Sequence, residues 1–120
     1  MTVEALERAL TAAGFSGVEQ VDGVVYARLT AADGEFTARP LGQGCELALC
    51  RSVRAADWQM AEWALHHPDA PLDLWQGETR LRLVVMPDGA ALARWAALAE
   101  AFVLASTRWR KGQRDRGEGW

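Results

Sequence analysis

Residues 17–51 read GVEQVDGVVYARLTAADGEFTARPLGQGCELALCR, and this stretch decides the fold class. Polarity alternates through Val24–Thr30, Glu35–Arg39 and Cys45–Arg51. Phe36 and Ala38 alternate with Glu35, Thr37 and Arg39, while Cys45, Leu47 and Leu49 alternate with Glu46 and Ala48. A period of two is that of a strand with one face covered and one face wet. The interruptions fall at Asp22-Gly23, Asp33-Gly34 and Leu41-Gly42-Gln43-Gly44, combinations that favour tight turns. The stretch therefore predicts a three-stranded antiparallel meander. A short segment, Gly17–Val21, is a candidate to add to the first strand across the Asp22-Gly23 turn.

On either side the period becomes helical. Thr2 can cap a first helix with Val3, Leu6, Leu10 and Ala13 on one face, and Gly14 can stop it. Ser52 can cap a second helix that ends at Pro68. Leu72–Trp75 and Thr79–Met86 read as two strands joined by the turn Gln76-Gly77-Glu78. Asp88 can cap a third helix reaching about Arg110 or Lys111, with Leu92, Trp95, Ala99, Phe102, Val103, Ser106 and Trp109 on its apolar face. The predicted order is α-βββ-α-ββ-α, an α+β fold with helices packed on an antiparallel sheet. Residues 1–111 are expected to form a single α+β domain, and 112–120 a flexible C-terminal tail.

Composition excludes several classes. The chain has 120 residues, 13 basic and 16 acidic side chains, and a formal charge of −3. A nucleic-acid binder needs a concentrated basic surface, so no nucleic-acid partner is expected. Met1-Thr2-Val3-Glu4 carries acid where a secretory signal carries Lys or Arg. The most apolar run, Trp95–Ala105, is interrupted by Glu100 and is shorter than the roughly 20 residues that span a bilayer, so no membrane insertion is expected. Cys45 and Cys50 stand five apart in one strand, on opposite faces, and cannot pair with each other. A reduced, cytoplasmic location follows as the expectation. There is no Ile or Asn, and Lys111 is the only lysine beside 12 arginines. That bias has the look of GC-rich codons, which do not by themselves explain six tryptophans.

The second helix is the most informative element for function. At 100° per residue, Val53, Ala56, Met60, Trp63, Ala64 and His67 gather on one side. Trp58, Ala61 and Leu65 form a second apolar stripe, and Gln59, Glu62 and His66 share the polar arc. A helix resting on its own sheet needs one apolar face, so the second stripe calls for a cover. Two covers are open: a neighbouring loop of the same chain, or a second copy. Tryptophan is favoured at the centre of interfaces and two-fold dimers are common, so Trp58, Ala61, Glu62 and Leu65 are the predicted dimer interface.

Motifs for catalysis are missing from the sequence. It has no nucleophile elbow, Walker loop, HExxH pair or CxxC. Gly42-Gln43-Gly44 is a hairpin turn without a following helix to receive a phosphate. Adjacent His66 and His67 diverge by about 100° and do not converge on one ion. The carboxylates are scattered, so no enzyme activity and no cofactor is predicted. Arg108, Arg110, Lys111, Arg114 and Arg116 cluster near the end; they suit a solvated helix C-terminus or a site for an acidic partner. Arg28, Arg39, Arg80 and Arg82 are placed on the outer sheet face, either as an ordinary wet surface or as a platform for a polypeptide.

Four stretches then carry a family likeness. They are Ala5-Leu6…Leu10…Ala13-Gly14-Phe15, Val18 to Leu29 around Asp22-Gly23, Leu47-Ala48-Leu49-Cys50, and Leu92…Leu98…Phe102…Ala105…Trp109. Their order resembles the class I chaperones of bacterial type III secretion, and also the YbjN-type proteins that share that fold. The likeness runs from about Val3 to Arg110. Val84–Gly89 is shorter than the Leu/Asp-rich segment of secretion chaperones, and six tryptophans exceed their usual number. The resemblance implies a homodimer built around the second helix. It also implies a polypeptide client held without ATP in apolar grooves and on strand edges. On the YbjN side it implies a regulatory or scaffold protein with a folded partner. A small-ligand-binding domain is the remaining alternative.

Overall fold

The computed structural model describes residues 1–115. In chain order it contains α1 (Val3–Ala12), β1 (Ser16–Val21), β2 (Val24–Arg28), β3 (Glu35–Leu41) and β4 (Gly44–Arg51). These are followed by α2 (Asp57–His66), β5 (Leu72–Trp75), β6 (Glu78–Val85) and α3 (Gly89–Asp115). The α+β class is as the alternation predicts. The six strands form one antiparallel sheet in the order β1-β2-β3-β4-β6-β5.

The meander has four strands rather than three. Gly17–Val21 belongs to a separate strand, β1, which pairs with β2 across Asp22-Gly23. Both turn residues have positive φ (51° and 79°), which matches the twist of a two-residue hairpin. Gln76-Gly77 repeats the device between β5 and β6 (φ 52° and 81°), so Glu78 belongs to β6 and not to the turn. Asp33-Gly34 is not a tight hairpin turn. It closes a 29–34 loop in which the Leu29 N–H donates to the Gly34 carbonyl at 2.9 Å. Gly34 is there for packing: a Cβ would stand 3.0 Å from Val103 Cγ2 of α3.

One sheet face carries the core. Val25 and Ala27 (β2), Phe36 and Ala38 (β3), Cys45, Leu47 and Leu49 (β4), and Leu81 and Leu83 (β6) are all buried. α1 covers β1–β3 with Leu6 and Leu10, while Ala13 beyond its end is exposed. Thr2 caps it as expected, its Oγ1 accepting from the Ala5 N–H at 3.1 Å. α3 covers β4 and β6 with Leu92, Trp95, Ala99, Phe102, Val103 and Ser106, and Trp109 is half-buried. Its Asp88 cap is present, Oδ1 accepting from the Ala91 N–H at 2.8 Å. α3 is long and apolar enough to cross a bilayer by length and composition, but its apolar side is buried on the sheet. It runs to Asp115, so Gly112–Asp115 are helical and not tail; residues 116–120 lie outside the described part.

The second helix departs most from expectation, because it begins at Asp57 and not after Ser52. Residues 52–56 instead run beside β6. Thr79 Oγ1 donates to the Val53 carbonyl (2.6 Å) and accepts from the Ala55 N–H (2.9 Å). The Thr79 N–H also donates to Val53 (3.0 Å). These bonds hold Val53 and Ala55 in the core and outside the helix, and the Ser52 hydroxyl donates to Glu78 (2.9 Å) instead of capping.

Candidate protein-binding surfaces

α2 lies at the outer side of the helix layer, in contact with β5. Trp63 anchors it: the indole N–H donates to the Ala70 carbonyl at 2.8 Å and the ring meets Phe102 edge-on at 5.8 Å. Gln59, assigned to the polar arc by the sequence, is buried. Its Oε1 accepts from the Ala56 N–H at 2.8 Å, so its amide closes the first turn that Ala56 itself cannot cap. Met60, Ala64 and His67 are half-buried, whereas Ala56 is exposed.

The second stripe points the other way. Trp58 is 60% exposed and Leu65 82% exposed, with Ala61 and Glu62 also open to solvent. Among the described residues no loop covers them. The helical angles of Trp58, Ala61 and Leu65 place them nearly opposite Trp63, on the face turned away from the core, while Glu62 stands about 100° from Trp63 at the border of that face. Sequence reasoning found this stripe because its spacing did not depend on where the helix began.

A trough separates α2 from α3. One hollow of about 390 Å³ has Trp63, Leu104, Ala105 and Trp109 on its apolar walls, with Glu62 and Arg108 at its edge. It adjoins a second of about 310 Å³, bordered by Asp69, Arg94 and Leu98, and the two share His66 and His67. Leu104 is 54% exposed on the lip. No pattern in the sequence marks this trough, since it exists only between two helices far apart in the chain. The His67 ring lies 4.1 Å from Trp63. Burial there, and secondly the neighbouring His66, lowers the His67 pKa. Among the described residues no group of His, Cys, Asp and Glu is arranged to hold a metal ion.

The opposite sheet face is polar. Arg28, Arg39, Arg80 and Arg82 lie on it as expected, each in an ion pair. Arg28 faces Glu35 (3.8 Å), Arg39 and Arg82 share Glu46 (3.8 and 3.1 Å), and Arg80 grips Asp73 through two bonds (3.0 and 2.7 Å). The Arg80 bond holds the Asp73 carboxyl below its usual range, and the Arg80 guanidinium lies 4.4 Å from the centre of the Trp75 ring. Both cysteines are free, Cys45 buried and Cys50 exposed on this face. Burial raises the Cys45 thiol to about 11.

The free sheet edges are β1 and β5. β1 carries an irregularity between Ser16 and Glu19, which disrupts a template for an added strand. β5 is regular, with Leu74 and Trp75 40% and 47% exposed. Comparison of the chain with protein-family models, curated proteins and solved structures gives no match.

Proposed function

We propose that this protein is a non-enzymatic, cytoplasmic protein-binding module that pairs with a second copy through α2 and holds a partner polypeptide, in the manner of a class I secretion chaperone. The observation that carries the reading is the exposed Trp58–Ala61–Leu65 stripe on the face of α2 turned away from the core. Full burial of a large apolar side chain contributes about 1.5–3 kcal/mol, so covering Trp58 and Leu65 on both copies is a substantial driving force. In an antiparallel helix pair, Ala61 would sit at the crossing and Trp58 of one copy would face Leu65 of the other. Such a contact is isologous, and that is how two-fold dimers close. Unpaired thiols at Cys45 and Cys50 suit a reducing compartment. The regular, apolar edge of β5 suits a client strand better than the irregular edge of β1.

Light scattering across a concentration series tests the pairing, with a dimer expected and a concentration-independent monomer overturning it. Capture from the native cytosol followed by limited proteolysis tests the client. One partner should be retained through an extended, protease-protected segment; a compact folded partner with no such segment would favour the scaffold reading instead.

A further inference from the structure

We propose that the end of β4 and the C-terminal half of α3 form a site for a small oxyanion, a phosphate or carboxylate group, taken by the Arg51 guanidinium. The strand registers place Arg51 in line with Cys45, Leu47 and Leu49, on the sheet face that carries the core. It is the only charged side chain at a core-facing position of β2–β6. A charge in such a place is costly unless an opposite charge accompanies it. Each arginine of the outer sheet face has a carboxylate partner, but Arg51 takes part in none of the ion pairs among the described residues. Its bonds go to hydroxyls instead: Nε donates to Ser106 Oγ at 3.0 Å and Nη2 to Thr107 Oγ1 at 3.3 Å. Both hydroxyls donate in turn to the Val103 carbonyl, at 3.0 and 2.7 Å. The guanidinium is thus fixed in place by neutral groups, and its charge is left uncompensated. Of its N–H groups, those on Nη1 and the second on Nη2 are left for a ligand.

A hollow of about 110 Å³ opens beside it, bordered by Arg51, Ser52, Ser106 and Arg110, with Cys50 and Val53 completing the wall. No carboxylate borders it. Glu78, the acid bonded to Ser52, is not part of the lining. Arg110 has an interaction of its own, so the charge that calls for a counter-ion is that of Arg51. A water molecule occupies about 30 Å³ in the liquid, so the hollow holds a group of a few heavy atoms. That is the size of an oxyanion head, too small for an aromatic ring or a stretch of polypeptide. A guanidinium meets two oxygens of a phosphate or carboxylate through parallel N–H···O bonds, which a neutral ligand or a metal cation cannot supply. The site lies at the far end of the sheet from the exposed stripe of α2, and it does not depend on how the chain pairs.

The test is a titration of the full-length, isotope-labelled protein followed by nitrogen–proton correlation spectra. Sodium phosphate and sodium acetate are added separately, each compared with sodium chloride at equal ionic strength. The Arg51 Nε–H signal and the Ser106 and Thr107 amide signals should move and saturate with phosphate or acetate, and should not saturate with chloride. The anion that saturates at the lower concentration identifies the group. The same anion should raise the melting temperature relative to chloride, because it binds the folded chain alone. Arg51→Gln should abolish that rise, and Arg51→Lys, which keeps the charge and loses the fork, should weaken binding at least about tenfold. Arg82→Gln, on the outer sheet face, should leave binding unchanged. Shifts that stay linear and match those in chloride would overturn the inference, and so would a rise in melting temperature that survives in Arg51→Gln. The titration of the unaltered protein decides by itself if a variant does not fold.

Discussion

Thr79 is one hydroxyl on which two elements depend. Buried in β6, it donates to Val53 and accepts from Ala55, holding residues 52–56 to the sheet and setting where α2 begins. Thr79→Val keeps the shape but leaves the Ala55 N–H without its acceptor. A buried unsatisfied group costs about 1–3 kcal/mol, and a lower urea midpoint at unchanged slope is the expected result. The two cysteines should behave differently. Cys45 is buried, its thiol raised to about 11, and Cys50 is exposed, so a thiol reagent should modify Cys50 alone in the folded protein and both residues in denaturant. Peptide mapping after labelling checks this; modification of Cys45 at the same rate would contradict the packing. The alternation of β4 revealed the opposite facing of these cysteines in advance, because strand geometry is local. The role of Thr79 was hidden, since its partners lie 24 and 26 residues away.

At the scale of elements, helix ends were legible where a side chain caps its own turn and illegible where a distant residue decides. Thr2 and Asp88 cap as their positions predict. Asp88→Ala should cost about 1 kcal/mol and lower the melting temperature, with the loss confined to the start of α3 in hydrogen exchange. Ser52 resembles a cap equally well, but β6 takes the backbone after it. α2 also carries a pH response. His67, half-buried against Trp63, has a pKa below its ordinary 6.5, so the unfolded chain binds more protons at this residue than the folded one. Its contribution is therefore complete above 6.5 and is lost as pH falls from there through the folded value. Asp73, with its pKa lowered from 3.8, acts in a separate and more acidic window, giving stability above 3.8 that is lost as pH falls through its own folded value. Urea midpoints measured across both windows should show the upper slope, and His67→Gln should remove it.

The whole molecule is a sheet with helices on one face, and its surfaces differ in kind. The outer sheet face satisfies its own charges through the ion pairs of Arg28, Arg39, Arg80 and Arg82. The helix side leaves Trp58, Leu65 and Leu104 exposed. Because Trp58 is 60% exposed and outside the buried core, Trp58→Glu should abolish the proposed α2 pairing while leaving the monomer's melting temperature nearly unchanged. Sedimentation velocity read beside a melting curve checks both halves; a dimeric variant would place the pairing elsewhere.

The sequence alone determined the α+β class, the core faces of the strands and of α3, and the outward stripe of α2. Each follows from a period of 2 or 3.6 residues that the backbone imposes locally. Only the tertiary structure decided the fourth strand of the meander, the start of α2, the burial of Gln59 and the trough beneath Leu104. Those depend on hydrogen bonds and packing between segments far apart in the chain, which compete with local preference and here prevail over it.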